Sequence, residues 1–273
     1  MAKLPSVFQS EYIPLKLVTE SGMQYVPVNR YLSGNPWTKQ FHKQALADFS
    51  HFVHRTSQYK NKNFERQHEL YGNGFAGSFN GSPSFVPVTW GEMQFCFYGK
   101  GRPQQFANTL RVLDYYLTYA DISHSYLQWS RRLRLDEYAY YYLGIDCNGF
   151  AGAYYQTTYP ATGIDGNDHI NFLHEKSTLK ERASVFEMRT GDMLVRRGSD
   201  GGGTRHVVLI DSIVAINSTE ATVSIAHSSG SRDGLAHEVL KLREDTSPAS
   251  DSYGKLRWDL VGYHKFNRVL APK

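Results

Sequence analysis

Gly144-Ile145-Asp146-Cys147-Asn148-Gly149-Phe150-Ala151-Gly152-Ala153-Tyr154-Tyr155 is the stretch around which this chain is organised. It reads as a short loop that delivers one cysteine to the first turn of a helix. Asp146 is a good N-cap, because its carboxylate can accept from the N–H groups just inside the helix. Gly149, Ala151, Gly152 and Ala153 are small, so another layer of the fold can approach the helix closely. A cysteine at that position sits at the positive end of the helix dipole, which favours thiolate over thiol. That is the setting a nucleophilic cysteine needs. A free cysteine is also commonly a small, inert core residue, and the stretch taken alone fits both readings. The histidines downstream decide between them.

Working outward, residues 193–196, 205–213, 221–227, 237–242 and 262–266 read as strands separated by turns. Upstream, residues 43–58 and 103–119 carry apolar side chains at helical spacing, and 123–134 reads as a further helix. Helices come first, with the cysteine on the last of them, and an antiparallel sheet follows, which is an α+β layout. Residues 12–18 and 23–28 look like strands or extended arms. Glycine, serine and asparagine dominate residues 71–87, which marks a long surface loop or boundary. Residues 85–98 return to strand-like composition, and Phe95-Cys96-Phe97 looks like an apolar strand. Residues 159–187 form a connection with a short helix near Leu173. The expected organisation is an N-terminal extension or subdomain over 1–100 and a catalytic domain over 101–273.

Composition bounds the reading. The chain has 273 residues, 41% of them hydrophobic and 14% aromatic, which describes a globular protein with ample core. Its formal net charge of +4 is mild, and neither Arg131-Arg132-Leu133-Arg134 nor Arg196-Arg197 resembles a nucleic-acid motif. Two cysteines, Cys96 and Cys147, support neither a disulfide scaffold nor a zinc cluster. Met1-Ala2-Lys3-Leu4-Pro5 lacks the apolar run of a signal peptide, and no segment has the length of a membrane span. The expectation is synthesis in the cytoplasm, with any action in the periplasm or cell wall reached by a non-classical route.

A cysteine hydrolase needs a thiolate, a base beside it and a group that orients the base. His206 leads a strongly apolar strand behind Gly201-Gly202-Gly203, and His227 ends the next strand. If those strands pair as an antiparallel hairpin, the start of one lies beside the end of the other. The two imidazoles are then neighbours, facing a helix tip packed on the sheet. His51, His54, His169, His174 and His264 read as ordinary surface residues, and nothing ties His237 to the cysteine.

Four segments in order then carry a resemblance: Asp146-Cys147-Asn148-Gly149-Phe150, Gly191-Asp192-Met193-Leu194-Val195, His206-Val207-Val208-Leu209-Ile210 and Ile225-Ala226-His227-Ser228-Ser229. Together they resemble the NlpC/P60 family of papain-like cysteine peptidases, whose pattern runs Asp-Cys-Ser-Gly-Phe, Gly-Asp-Leu, His-Val-Gly-Ile and a closing His. The spacing fits, with 206 − 147 = 59 residues from Cys to His and 227 − 206 = 21 to the third member. The resemblance covers roughly residues 135–230 and does not reach residues 1–100. It departs at Asn148, where Ser is usual, and at Val208, where Gly is common.

The resemblance implies a papain-like core in which Cys147 is the nucleophile, His206 the base and His227 its orienting partner. It also implies that Asp146 holds a free amine of the substrate and that Tyr142 shapes the pocket. Asp192 reads as a turn residue. The implied activity is amide cleavage in peptidoglycan stem peptides, with no metal or organic cofactor. A delivered antibacterial toxin or a phage-associated lysin fits such an activity, with a secretion machine or an immunity protein as partner. Two rival readings are another Cys–His acyl-transfer enzyme (transglutaminase, deamidase or acyltransferase) and a non-catalytic binding or structural protein.

Overall fold

The computed structural model describes residues 2–19, 22–32, 36–54, 69–71, 74–79, 82–119, 134–168, 170–196, 206–244, 256–260, 263–266 and 268–273. The chain forms two compact units, Glu11–Ile145 and a second made of Met1–Ser10 with Asp146–Lys273. In chain order, α1 (Pro5–Ser10) belongs to the second unit. The hairpin β1 (Leu15–Thr19) and β2 (Gly22–Val26) pairs Leu15 with Val26. Then come α2 (Pro36–Val53) and a three-stranded antiparallel sheet of β3 (Glu69–Tyr71), β4 (Gly74–Phe79) and β5 (Ser82–Val86). Helices α3 (Trp90–Phe97), α4 (Pro103–Tyr119) and α5 (Leu135–Tyr142) complete the first unit. Its core is aromatic: Phe52 and Tyr116 have ring centroids 5.0 Å apart, and Phe49, Phe75, Phe97, Tyr115 and Tyr138 are buried with them. Edge-on and tilted packing of such rings adds to their area burial.

The second unit continues with α6 (Cys147–Thr158), β6 (Leu179–Glu181), β7 (Met193–Arg196), β8 (His206–Ile216), β9 (Glu220–Ser229), β10 (Gly234–Glu244), β11 (Leu256–Leu260), β12 (Tyr263–Phe266) and β13 (Arg268–Pro272). These strands form one sheet in the order β12-β11-β10-β9-β8-β7-β13-β6, and its neighbours pair antiparallel. The class is therefore α+β with antiparallel sheets. Side chains alternate between the two faces of a strand. Leu194, Val208, Ile210, Val223, Ile225, Leu240 and Leu242 fill one face, closed over by Val185 and Met188. The other face presents Val207, Leu209 and Ala226, also buried.

Three expectations are corrected. The stretch 85–98 is largely helical and not a strand. Thr89 Oγ1 accepts from Glu92 N at 3.3 Å while the Glu92 carboxylate accepts from Thr89 N at 2.9 Å, a capping box that starts α3 whatever the strand propensity of its phenylalanines. Residues 71–87 carry a small sheet where a loop was expected, because only two residues separate β3 from β4 and β4 from β5, the spacing of tight hairpins. The division expected at residue 100 is not the one packing draws, since α3 and α4, which flank it, pack on each other within one unit. The helix expected over 123–134 lies, apart from Arg134, outside the described residues. So do His169 and the triglycine before His206.

Candidate active site

Cys147 is the first residue of α6 and is buried. Asp146 is the N-cap, with extended backbone (φ −88°, ψ 169°), and its carboxylate accepts from Gly149 N. That bond satisfies one of the helix's unpaired donors and leaves the dipole's positive end beside Cys147. The far half of α6 is tied down: Tyr155 OH donates to Gly191 O at 2.9 Å and Tyr154 OH to Lys3 O at 2.7 Å. Phe8 of α1 packs on Phe150 and Tyr154, and Ser6 N of α1 donates to Asp211 Oδ1 at 2.7 Å. Both helices thus lie on the Val207–Leu209 face, over β8 and β9. Gly191 pairs with Ile210, midway along β8. Beyond Asp211, β8 is largely exposed.

Asn148, the second residue of α6, clamps a loop. Its Nδ2 donates to Gly166 O at 3.1 Å and also to Asp168 O. One turn further on, a Cβ added to Gly152 would lie 2.3 Å from the Asp165 carbonyl carbon. Gly152→Ala must therefore displace that loop or the helix, an overpacking cost of about 1–3 kcal/mol. Urea denaturation of the variant is expected to show it, and an unchanged midpoint would mean the loop yields freely.

The structure brings His206 and His227 together: Nε2 of the first and Nδ1 of the second are 2.9 Å apart. The β8–β9 register, with Leu209 opposite Ala226, sets this diagonal pairing, and both bulges in the ladder fall beyond it, at Ile210/Ser212 and Ile213/Ala215. With Nε2 of His206 engaged, Nδ1 is the ring nitrogen through which His206 can take a proton from a thiol. By strand alternation the rings lie on the Val208 and Ile210 face, not the Val207–Leu209 face that α6 covers, in a row with Arg196, opposite His206 in the β7–β8 ladder, and with Glu238, two residues beyond the Ala236 that faces His227. His227 Nε2 lies 3.8 Å from Glu238 Oε1, and exposed Arg232 holds that same oxygen from the solvent side.

Burial, and after it the neighbouring His227 and Arg196, pushes His206 from its ordinary 6.5 down to about 3. Burial also lowers His227, against the opposing pull of Glu238. Both rings are therefore neutral near pH 7, so His206 is poised to receive a proton and not to donate one. The sign for stability follows from linkage. A depressed histidine favours the folded state fully above about pH 6.5, and that contribution is lost as pH falls toward about 3, because the unfolded chain takes up the proton first. Urea midpoints measured from pH 7.5 to 4 are expected to fall less steeply in His206→Gln than in the parent. Equal slopes would mean His206 is not held neutral.

Tyr142 lies in the other unit, buried, with its ring 4.8 Å from Tyr138 and also against Tyr141. Asp192 is buried and takes a bidentate Arg182 at 2.9 and 3.1 Å, as a structural residue does. His237, unplaced by the sequence, donates to or accepts from Ser224 Oγ at 2.9 Å and lies 3.1 Å from Asp211, on the face that carries α1. Sequence reasoning missed Arg196 and Glu238; the signal available was their parity with His206 and His227 along paired strands. No group of three His, Cys, Asp or Glu side chains among the described residues is placed to hold a metal ion. No helix among them is long and apolar enough to cross a membrane. No family model matches this chain, and no curated protein or solved structure is found to be similar to it.

Proposed function

We propose that the chain is a papain-like cysteine hydrolase of the NlpC/P60 type that cleaves amide bonds in peptidoglycan stem peptides. The observation that carries this reading is the 2.9 Å contact between His206 Nε2 and His227 Nδ1 on paired strands of the sheet against which the capped, cysteine-bearing helix α6 packs. In this reading Nδ1 of His206 takes the Cys147 thiol proton as sulfur bonds to the amide carbonyl carbon. The oxyanion is received by the Cys147 backbone N–H in the first turn of α6. His206 then returns the proton to the leaving nitrogen as the C–N bond breaks, leaving a thioester on Cys147. Water, deprotonated by the same ring, adds to the thioester carbonyl, the C–S bond breaks, and sulfur recovers the proton. The products are a carboxylic acid and an amine. Asp146 keeps one oxygen on Gly149 N, and its other oxygen takes the substrate's free amine.

Mass spectrometry of purified stem peptides incubated with the protein tests the reading. Two products whose masses sum to the substrate plus one water are expected. Intact peptide, or a transferred or deamidated one, would overturn the hydrolase assignment.

A further inference from the structure

The geometry points to Glu238 as the positioning residue that sets the tautomer of the two histidines, an inference that rests on the hydrolase reading for its purpose but not for its test. His227 is buried, its side chain 5% exposed, and its Nε2 has no hydrogen-bond partner among the described residues. A buried polar nitrogen without a partner is costly. The anion nearest to it is Glu238 Oε1 at 3.8 Å, on the adjacent strand and the same face.

Two neutral imidazoles sharing one contact have two arrangements. In the first, His206 Nε2–H donates to His227 Nδ1, so His227 carries its own proton on Nε2, toward Glu238. Nδ1 of His206 is then a bare lone pair, able to accept from a thiol. In the second, His227 Nδ1–H donates to His206 Nε2. Nε2 of His227 then turns a lone pair toward a carboxylate, and Nδ1 of His206 carries a proton and cannot act as a base. Glu238 disfavours the second arrangement by repulsion between its charge and the Nε2 lone pair of the ring dipole, in a buried setting where such interactions are weakly screened. At 3.8 Å the contact is beyond hydrogen-bond reach. The carboxylate therefore biases the pair electrostatically and is positioned to draw closer when His206 becomes cationic.

Among the described residues, the other charged groups near the pair are Arg196 from β7 and Arg232 from the short 3-10 turn Gly230–Arg232; His237 of β10 also acts on His227 electrostatically but lies on the opposite face, against Asp211. The two arginines oppose protonation of the rings, so Glu238 is the anion among these groups that can select the productive tautomer. A carboxylate that holds a catalytic imidazole in its working tautomer has a large effect in other hydrolases, and outer partners of such rings commonly matter by about 10- to 100-fold.

The test is long-range 1H–15N correlation of the histidine rings of the full-length protein at pH 7, with Cys147 alkylation rate measured alongside. His227 is expected to carry its proton on Nε2 and His206 to have a bare Nδ1. Glu238→Gln, which keeps the shape and removes the charge, is expected to mix the tautomers and slow alkylation at least about tenfold. Arg232→Met is expected to keep the parent tautomers. A parental His227 protonated on Nδ1 would overturn the inference even if the glutamine variant failed to fold. So would unchanged tautomers in Glu238→Gln, or an equal loss in Arg232→Met. An unreactive Cys147 with the expected tautomers would instead remove the hydrolase reading and leave the role of Glu238 standing.

Discussion

Cys147→Ala is expected, on the proposed hydrolase reading, to abolish cleavage of stem peptides, lowering kcat/KM on the order of a thousandfold or more, as loss of a covalent nucleophile does in known hydrolases. The second cysteine of the chain, Cys96, lies in the other unit and is no substitute for the thiol. Cys96 is fully buried in α3, with Thr109 Oγ1 3.4 Å from its sulfur. Burial pushes its pKa up to about 12. It is therefore inert near neutral pH, and iodoacetamide consumed by the folded protein reports Cys147 alone. Alkylation at Cys147 is expected to run faster than at free cysteine at pH 7, and to slow when His206 is replaced by alanine. The double variant Cys147→Ala/His206→Ala should be no worse than either single one, since residues acting as a unit are not additive. Full cleavage by Cys147→Ala would remove the nucleophile assignment. Cys147 reactivity that ignores His206 would remove the base.

Much of the second unit was legible because its signals are local. The cap at Asp146 and the small residues after Cys147 announce the start of α6, and α6 begins at that cysteine. Continuous apolar runs announced β8 and β9, and their short connection fixed the pairing that joins His206 to His227. Pro103 and the apolar spacing behind it gave α4 over the expected residues. The errors share a cause. Phe95-Cys96-Phe97 has strand-like composition, and Thr89 with Glu92 three residues on outweighs it by capping a helix. The glycines around residues 72–81 suggest a loop, although Asn80-Gly81 is itself a hairpin signal.

What stayed hidden is what pairing alone brings together. Strands β11 and β13 were not expected, and β13 inserts between β7 and β6 from the far end of the chain. Arg196 and Glu238 reach the histidine row only through cross-strand register. No local pattern marks Asn148 as a loop clamp, because its acceptors, Gly166 O and Asp168 O, are backbone atoms about twenty residues on.

Arg182→Met is expected to be the most destabilising single change in the second unit outside its apolar core. The guanidinium meets Asp192 through Nε–Oδ2 at 2.9 Å and a second nitrogen to Oδ1 at 3.1 Å, while Arg189 N also donates to Oδ2 at 2.9 Å. The carboxylate side chain is 2% exposed. Its main chain seats the turn into β7, with Ile210 N donating to Asp192 O and Gly191 N to Ile210 O. Gly191 holds φ +88° there, the left-handed region that suits glycine. The two partners pull in different directions. Asp192 raises the pKa of Arg182, as a good ion pair should, yet burial raises Asp192 as well, and outweighs the arginine that lowers it. The pair is therefore costly to bury and much costlier to break. Removing one partner of such a pair costs about 3–5 kcal/mol, whereas replacing both is close to neutral. Arg182→Met/Asp192→Asn should accordingly recover most of what Arg182→Met loses. The pH dependence gives an independent check. Without the arginine Asp192 titrates higher still, so the deficit is full above that pKa and shrinks as pH falls through it and the folded carboxyl takes a proton. Urea midpoints at pH 8 and pH 5 measure this: the gap between parent and Arg182→Met is expected to narrow at pH 5. A gap under about 1 kcal/mol at pH 8, the range of exposed pairs, would show that Asp192 reaches solvent and that the turn before β7 does not depend on this ion pair.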